Sequence, residues 1–125
     1  MIGICDIDKM NKGNVTTAHS AIAATATSAK IDCRGYNALL VLVDLGATGT
    51  PNWTITFTGS PTEQGTYAAI YKHKDDGTLV AVSSGALTAD TCFVITGGLP
   101  DNVKVVATEN SGTGTCTVTV QPCNI

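Results

Sequence analysis

The stretch Asn52-Trp-Thr-Ile-Thr-Phe-Thr58 alternates apolar and hydroxyl side chains from its second residue to its last. Successive side chains of a β-strand point to opposite faces. Trp53, Ile55 and Phe57 therefore share one face of a predicted strand, and the three threonines share the other. This alternation is typical of an antiparallel sheet with one face buried and one face directed to water or to a partner.

A second segment, residues 115–121, repeats the alternation near the end of the chain. Cys116, Val118 and Val120 form its apolar face, and threonines and a glutamine form the other. Helix-type periodicity is nearly absent from the chain. We therefore predict an all-β fold, an antiparallel β-sandwich or jelly roll of about eight strands.

Strand-type segments separated by Gly, Pro, Asn and Asp follow one another from Lys30 onward. Asp76-Gly77 gives the strongest hairpin signal, because glycine supplies the positive φ that a tight turn needs. The segment at 37–45 is apolar on both faces and predicts a central strand covered on both sides. The predicted strands are residues 30–33, 37–45, 52–58, 66–72, 78–82, 91–96, 103–108 and 115–121.

Residues 1–29 differ from the rest, since 1–14 are unpatterned and 15–29 are rich in Thr, Ala and Ser. We predict an N-terminal arm at 1–29, with one edge strand near 20–27, followed by a sandwich domain at 30–125. Such an arm can lie across a neighbouring subunit or add a strand to it. The alternative is a first strand folded onto its own sheet after a frayed terminus.

Charge is sparse in this chain of 125 residues, which has the size of one domain. Charged residues make up 14% of the chain, against about 25% in typical globular proteins. Low charge suits an assembly component whose surface is partly covered, and it also suits a very stable monomer. The net charge is −3 and the Lys and Arg residues are scattered, so we expect no nucleic-acid partner.

No membrane or export segment is expected. The longest apolar run, residues 38–43, is far too short to span a bilayer. Acidic residues near the start, Asp6 and Asp8, stand where a signal peptide needs basic ones. The five cysteines follow no zinc spacing. Reduced thiols are therefore expected, with Cys116–Cys123 and Cys5–Cys33 as possible bridges.

Catalytic and metal sites are not predicted. His19 and His73 are both expected to be exposed, and no nucleophile elbow accompanies them. Adjacent Asp75 and Asp76 are explained by turn chemistry. Asp6 and Asp8 provide at most two of the oxygen ligands that calcium needs. We expect no enzymatic activity, no cofactor and no metal.

Two surface features suggest binding. Tyr67 and Tyr71 share a face of the strand predicted at 66–72 and form a candidate platform for stacking a sugar ring. Outward threonines at 54–58 and 115–119 are the kind of array that binds ice, although the chain has no solenoid repeat to align many of them.

Five segments between Ser28 and Gln121 follow one another in a characteristic order: Ile31-Asp-Cys-Arg-Gly-Tyr-Asn-Ala-Leu-Leu-Val-Leu-Val-Asp-Leu-Gly46, Thr54-Ile-Thr-Phe-Thr-Gly-Ser60, Asp75-Asp-Gly77, Val103-Lys-Val-Val-Ala107 and Thr115-Cys-Thr-Val-Thr-Val120. This order resembles small β-sandwich proteins of tailed-bacteriophage virions. The sequence departs from that family where Gly59-Ser60-Pro61 is followed by Thr-Glu-Gln, because the family's Ser-x-Asp-Gly hairpin is expected there.

The resemblance implies a virion structural protein made in the host cytoplasm. We expect a capsid decoration (cement) protein that bridges capsomers, with the major capsid protein or another virion protein as partner and a homo-oligomer, preferably a trimer, as its state. The alternatives are a head–tail connector or neck subunit, and a carbohydrate-binding module that uses Tyr67 and Tyr71. In the cement hypothesis residues 1–29 carry much of the contact.

Overall fold

The computed structural model describes residues 12–125, and the regular secondary structure of this range consists of strands. This confirms the predicted all-β class. The strands are β1 (Thr16–Ile22), β2 (Ala26–Thr27), β3 (Ile31–Asp32), β4 (Ala38–Leu45), β5 (Trp53–Ser60), β6 (Ala68–Ala69), β7 (Tyr71–His73), β8 (Leu79–Ala81), β9 (Ser83–Leu87), β10 (Thr91–Ile95), β11 (Asn102–Glu109) and β12 (Cys116–Cys123).

Two antiparallel sheets form a sandwich. The first has the order β1-β12-β4-β10. The second is built on the long pair β11–β5, with β2 and β3 along the other edge of β11 and with β6 and β9 along the other edge of β5. A separate hairpin joins β7 to β8.

The core lies between the inward faces of the two sheets. Trp53, Ile55 and Phe57 are at most 1% exposed, which confirms the inward face predicted for this strand. Phe57 meets Phe93 edge to face, with ring centroids 6.3 Å apart. Both alternating segments therefore supply the core. The other buried apolar residues are Ile31, Cys33, Ala38, Leu39, Val41, Val43, Leu45, Ile95, Val103, Val105, Ala107, Cys116, Val118 and Val120.

The strand predicted at 66–72 is two strands, β6 and β7. Between them, the Ile70 amide donates to the Phe57 carbonyl of β5, while the Ile70 carbonyl accepts from Val82. The backbone thus changes partners at one residue. Strand β9 was not predicted, since its Ser-Ser-Gly start resembles a turn and its pairing with β5 is irregular.

The N-terminal segment is paired within the chain over its described part. β1 lies along β12 and β2 lies along β11. The observed strands at 16–22 and 26–27 replace the single edge strand expected near 20–27. The remainder of the predicted arm, residues 1–11, lies outside the described residues.

The expectation that His19 is exposed was wrong, because the side chain is 5% exposed. Its pairing opposite Val118 turns the ring into the sandwich. There Nε2 donates to the Val105 carbonyl of the second sheet at 2.9 Å. Ser28 completes the contact, since its hydroxyl accepts from the Val105 amide and its own amide donates to the Val105 carbonyl. The His19–Val105 hydrogen bond therefore joins the two sheets on the β1 side, while Ser28 continues the edge pairing of β11 between β2 and β3.

Strain is localised at Ala21, the one non-glycine residue in the described range with a positive φ, at 46°. A Cβ atom in this left-handed region is crowded by the backbone, and glycine avoids that cost.

We expect Ala21→Gly to raise the free energy of unfolding by about 0.5–1 kcal/mol, measured by urea denaturation. The matched change Ala18→Gly, in the same strand without positive φ, is expected to lower it. A loss of stability in Ala21→Gly would contradict the strain.

Two of the four described thiols are inaccessible. Burial raises the pKa of Cys33 to about 12 and that of Cys116 to about 11, with nearby Asp32 and Asp44 acting in the same direction. Cys92 is exposed, and all four described cysteines are free thiols.

Because the thiolate is the reactive form, Cys33 and Cys116 should resist a maleimide at pH 8 while Cys92 reacts. Mass spectrometry of tryptic peptides measures this difference, and the same reaction in denaturant should label every cysteine. Labelling of folded Cys33 at the rate of Cys92 would contradict the burial.

Candidate interaction surface

The outward side of the four-stranded sheet, called the outer face below, is apolar at its centre. Strand β4 lies between β12 and β10. The register sets Leu42 between Thr119 and Cys92. One row away, Leu40 lies between Gln121 and Val94. Two leucines, one valine and a cysteine thus form a block on β4 and β10.

This block is not covered by any described residue. Leu42 is 47% exposed, Val94 is 45% exposed and Val15 beside them is 64% exposed. The prediction that β4 is covered on both sides was therefore wrong for its outward side. A shallow depression of about 220 Å³ is lined by Val15, Leu40, Leu42, Cys92, Thr119, Val120 and Gln121.

Charge is almost missing from this sheet. Its four strands contain one ionisable acid, Asp44, and no Lys, Arg or Glu. Contiguous apolar surface without charge is uncommon on free proteins and marks a contact with another molecule. The core of a protein interface is depleted of charge in the same way. The outer face is therefore the strongest candidate for an interaction surface in the described chain.

The two edges of the sheet differ. Edge strand β1 has register shifts around His19 and the strained Ala21, which interrupt the row of backbone groups offered to another strand. Edge strand β10, with the sequence Thr-Cys-Phe-Val-Ile, pairs with β4 without a register shift and contains neither charge nor proline. Only the β10 edge is thus regular enough to accept a further strand.

The histidine and aspartates near residue 75, which were considered as candidate catalytic or metal-binding residues, lie at a turn. His73 is exposed, and its Nδ1 lies 3.2 Å from the Gly77 carbonyl. The Asp76 carboxylate accepts from the Thr78 amide and hydroxyl, which lowers the pKa of that acid. Together with Gly77 at φ 86°, this is the predicted hairpin turn. Within residues 12–125 no three His, Cys, Asp or Glu side chains are grouped to hold a metal.

Tyr67 and Tyr71 do not form one platform. The partner change at Ile70 separates them, so that Tyr71 lies in the β7–β8 hairpin and Tyr67 precedes β6. The Lys104 ammonium lies over the Tyr67 ring, 4.2 Å from the ring centroid. The Tyr67 hydroxyl donates a hydrogen bond to the Glu63 carbonyl. Of these two tyrosines, only Tyr71 lines a cavity of about 520 Å³, together with Ile70, Lys72 and the 97–100 loop.

Sequence reasoning found Leu40 and Leu42 but assigned them to a buried face. It missed Cys92 and Val94, whose outward position follows from the register of β10 on β4. The available signal was the lack of charge in 91–96 together with the second apolar face of 37–45.

Comparison with known proteins supports the fold. No family model matches the sequence, and no curated protein matches it. Among solved structures, the crystal structure of the SPBc2 prophage-derived protein YomS is similar, with a TM-score of 0.63 and 18% sequence identity. The match covers 90% of this chain and 92% of that one. A structural neighbour of this protein is therefore prophage-derived. Within the described residues no helix is long and apolar enough to cross a membrane.

Proposed function

We propose that this protein is a structural component of a tailed-bacteriophage virion, and specifically a capsid decoration protein that bridges capsomers. The observation that carries the proposal is the apolar outer face, with Leu42 and Val94 nearly half exposed and Asp44 as the one acid in its four strands. Similarity to a prophage-derived protein over most of both chains supports the phage setting.

The chemistry of the outer face suits adhesion. Removal of apolar side chains from water is favourable, so burial of Leu40, Leu42 and Val94 in a contact would stabilise it. The neighbouring threonines can form hydrogen bonds at the rim of that contact. Its partner would be the major capsid protein or another virion protein that offers an apolar patch. A protein that binds only the assembled shell stabilises that shell by mass action.

Several copies acting together fit this role. A homo-oligomer, preferably a trimer, would present several outer faces to neighbouring capsomers, so that modest contacts add through multivalency. Of the arm expected at 1–29, residues 16–22 and 26–27 belong to the two sheets. The proposed capsid contact therefore uses the outer face of the folded sandwich, with residues 1–11 as the remaining part of the arm.

A head–tail connector subunit is the second candidate. The regular, uncharged edge of β10 favours it, because strand pairing between neighbours is one way to build a ring. The carbohydrate-binding alternative loses its platform with the separation of Tyr67 from Tyr71.

Co-sedimentation with phage heads that lack this protein tests the proposal. The wild-type chain is expected to pellet with heads, and Leu42→Asp is expected to weaken binding by about tenfold or more, because a carboxylate would lose its water in an apolar contact. The matched control is Leu79→Asp, a similarly exposed leucine on the β7–β8 hairpin. Its binding should equal that of the wild type.

Two results would contradict the proposal. Equal pelleting of Leu42→Asp and the wild type would exclude the outer face as the contact. Pelleting with isolated necks or tails but not with heads would move the protein to the connector class.

A further inference from the structure

A groove separates the free edge of β10 from the β7–β8 hairpin. Its volume is about 320 Å³, and its lining comes from β10 and from both strands of the hairpin. The floor and walls are mostly apolar on the β10 and β8 sides and basic on the β7 side. The lining residues are Lys72, His73, Lys74, Val80, Ala81, Val82, Ser83, Phe93, Val94, Ile95 and Thr96.

The β10 edge gives this groove a backbone that can pair. Within residues 12–125, β10 pairs only with β4, so the amides and carbonyls of its other side are not used by a strand. An exposed edge of this kind accepts an extended segment by main-chain hydrogen bonds, and alternate side chains then provide specificity. The groove is thus suited to one extended segment.

Lys72 gives the groove a cation that forms no ion pair with the described residues. Partial burial lowers the pKa of its ammonium, and the ion pairs of the described residues, Lys30–Glu63 and Arg34–Asp32, do not include it. Nζ lies near Gly97, just beyond the end of β10, since a Cβ built at Gly97 would be 3.6 Å away. A carboxylate at this end of the groove would relieve the cost of desolvating Lys72.

The first eleven residues, Met-Ile-Gly-Ile-Cys-Asp-Ile-Asp-Lys-Met-Asn, offer a complementary pattern. In an extended strand, Ile2, Ile4, Asp6 and Asp8 would share one face. That face is apolar in its first half and acidic in its second half. The groove lining contains partners of both kinds, with Phe93 and Val82 for the isoleucines and Lys72 and Lys74 for the aspartates.

We propose that residues 2–8 of a second copy of this chain add to β10 as a further strand within this groove. Asp6 and Asp8 face Lys72 and Lys74, and Ile2 and Ile4 pack on the apolar walls. The proposal concerns contacts between copies and does not depend on binding to a capsid.

The sheet order indicates why the donor is another copy. Lys12 pairs with Cys123 on the β1 side of β12, so the position beyond β10 is four strand spacings away. At about 4.8 Å per spacing this distance is about 19 Å. Asp8 is four residues from Lys12 and can reach about 14 Å. The chain's own Asp8 therefore falls short of the groove, and for this reason we assign the donated segment to a second copy.

Exchange of this kind can close. Each copy donates one segment and offers one groove, so head-to-tail pairing forms a ring when the rotation between copies closes. A trimer is one such ring.

Charge reversal tests the pairing in solution. The double variant Asp6→Lys/Asp8→Lys is expected to raise the dissociation constant of the oligomer by about tenfold or more, because like charges then meet in the groove. Adding Lys72→Asp/Lys74→Asp should restore assembly, as measured by light scattering with size-exclusion chromatography. Asp101→Lys, which reverses an exposed acid elsewhere, is the control and should leave the oligomer unchanged.

Cysteine crosslinking tests the position. Residue 5 would point to the outer face, beside Cys92 and Val94. In a Cys123→Ser background, a short bis-maleimide should join Cys5 to Cys92 and yield dimers and larger species on a denaturing gel. Cys5→Ser should abolish them.

The assembly and crosslinking results show whether the groove binds a segment from another copy, the chain's own segment or neither. A wild-type protein that stays monomeric at tens of micromolar and forms no such crosslink overturns the proposal. A Cys5–Cys92 link confined to single chains also overturns it, in favour of the chain's own segment. Since these measurements use the purified protein alone, their failure leaves the capsid proposal standing, and failure of head binding leaves these results unaffected.

Discussion

In a two-layer sandwich each sheet can bury only one of its faces, and β4 carries large apolar side chains on both. Val41 and Val43 face the core with no exposed surface, whereas Leu42 on the other side is nearly half exposed. Exposed apolar surface costs about 25 cal/mol for each Å² that could be buried. The second sheet packs on the opposite side, so any cover for this face would come from outside the described fold. The outer face and the proposed function both follow from this constraint.

The two open sides of the sandwich, along β1 and along β10, differ in structure. On the β1 side, His19 hydrogen-bonds across the gap between the sheets to the Val105 carbonyl, while the irregular path of β1 discourages further pairing. On the β10 side, the strand is regular and a groove separates it from the β7–β8 hairpin. If a further strand is added to this sheet, the β10 edge is therefore the more suitable of its two edges. An asymmetric pair of edges is what a head-to-tail assembly requires.

Local pattern was sufficient for much of the fold. The inward positions of Trp53, Ile55, Phe57 and Cys116, and the hairpin at Gly77, follow from alternation and turn chemistry that neighbouring residues determine. The break at Ile70 and the burial of His19 could not be predicted in this way. Each depends on a partner distant in sequence, the first on Phe57 and Val82 and the second on Val118 and Val105. The same dependence explains why Tyr67 and Tyr71, close in sequence, lie in different parts of the structure.

The two surfaces discussed above should respond differently to ionic strength. The outer face contains no ion pair to screen, so a contact made there would keep its affinity as salt is raised, and excluded salts such as sulfate would strengthen it. The proposed groove contact would place carboxylates beside Lys72 and Lys74, and added salt would weaken that part of its binding free energy. Salt would thus loosen the association between copies while leaving their adhesion to a partner intact. The two proposed contacts, one with a partner and one between copies, would therefore rest on physically separate forces.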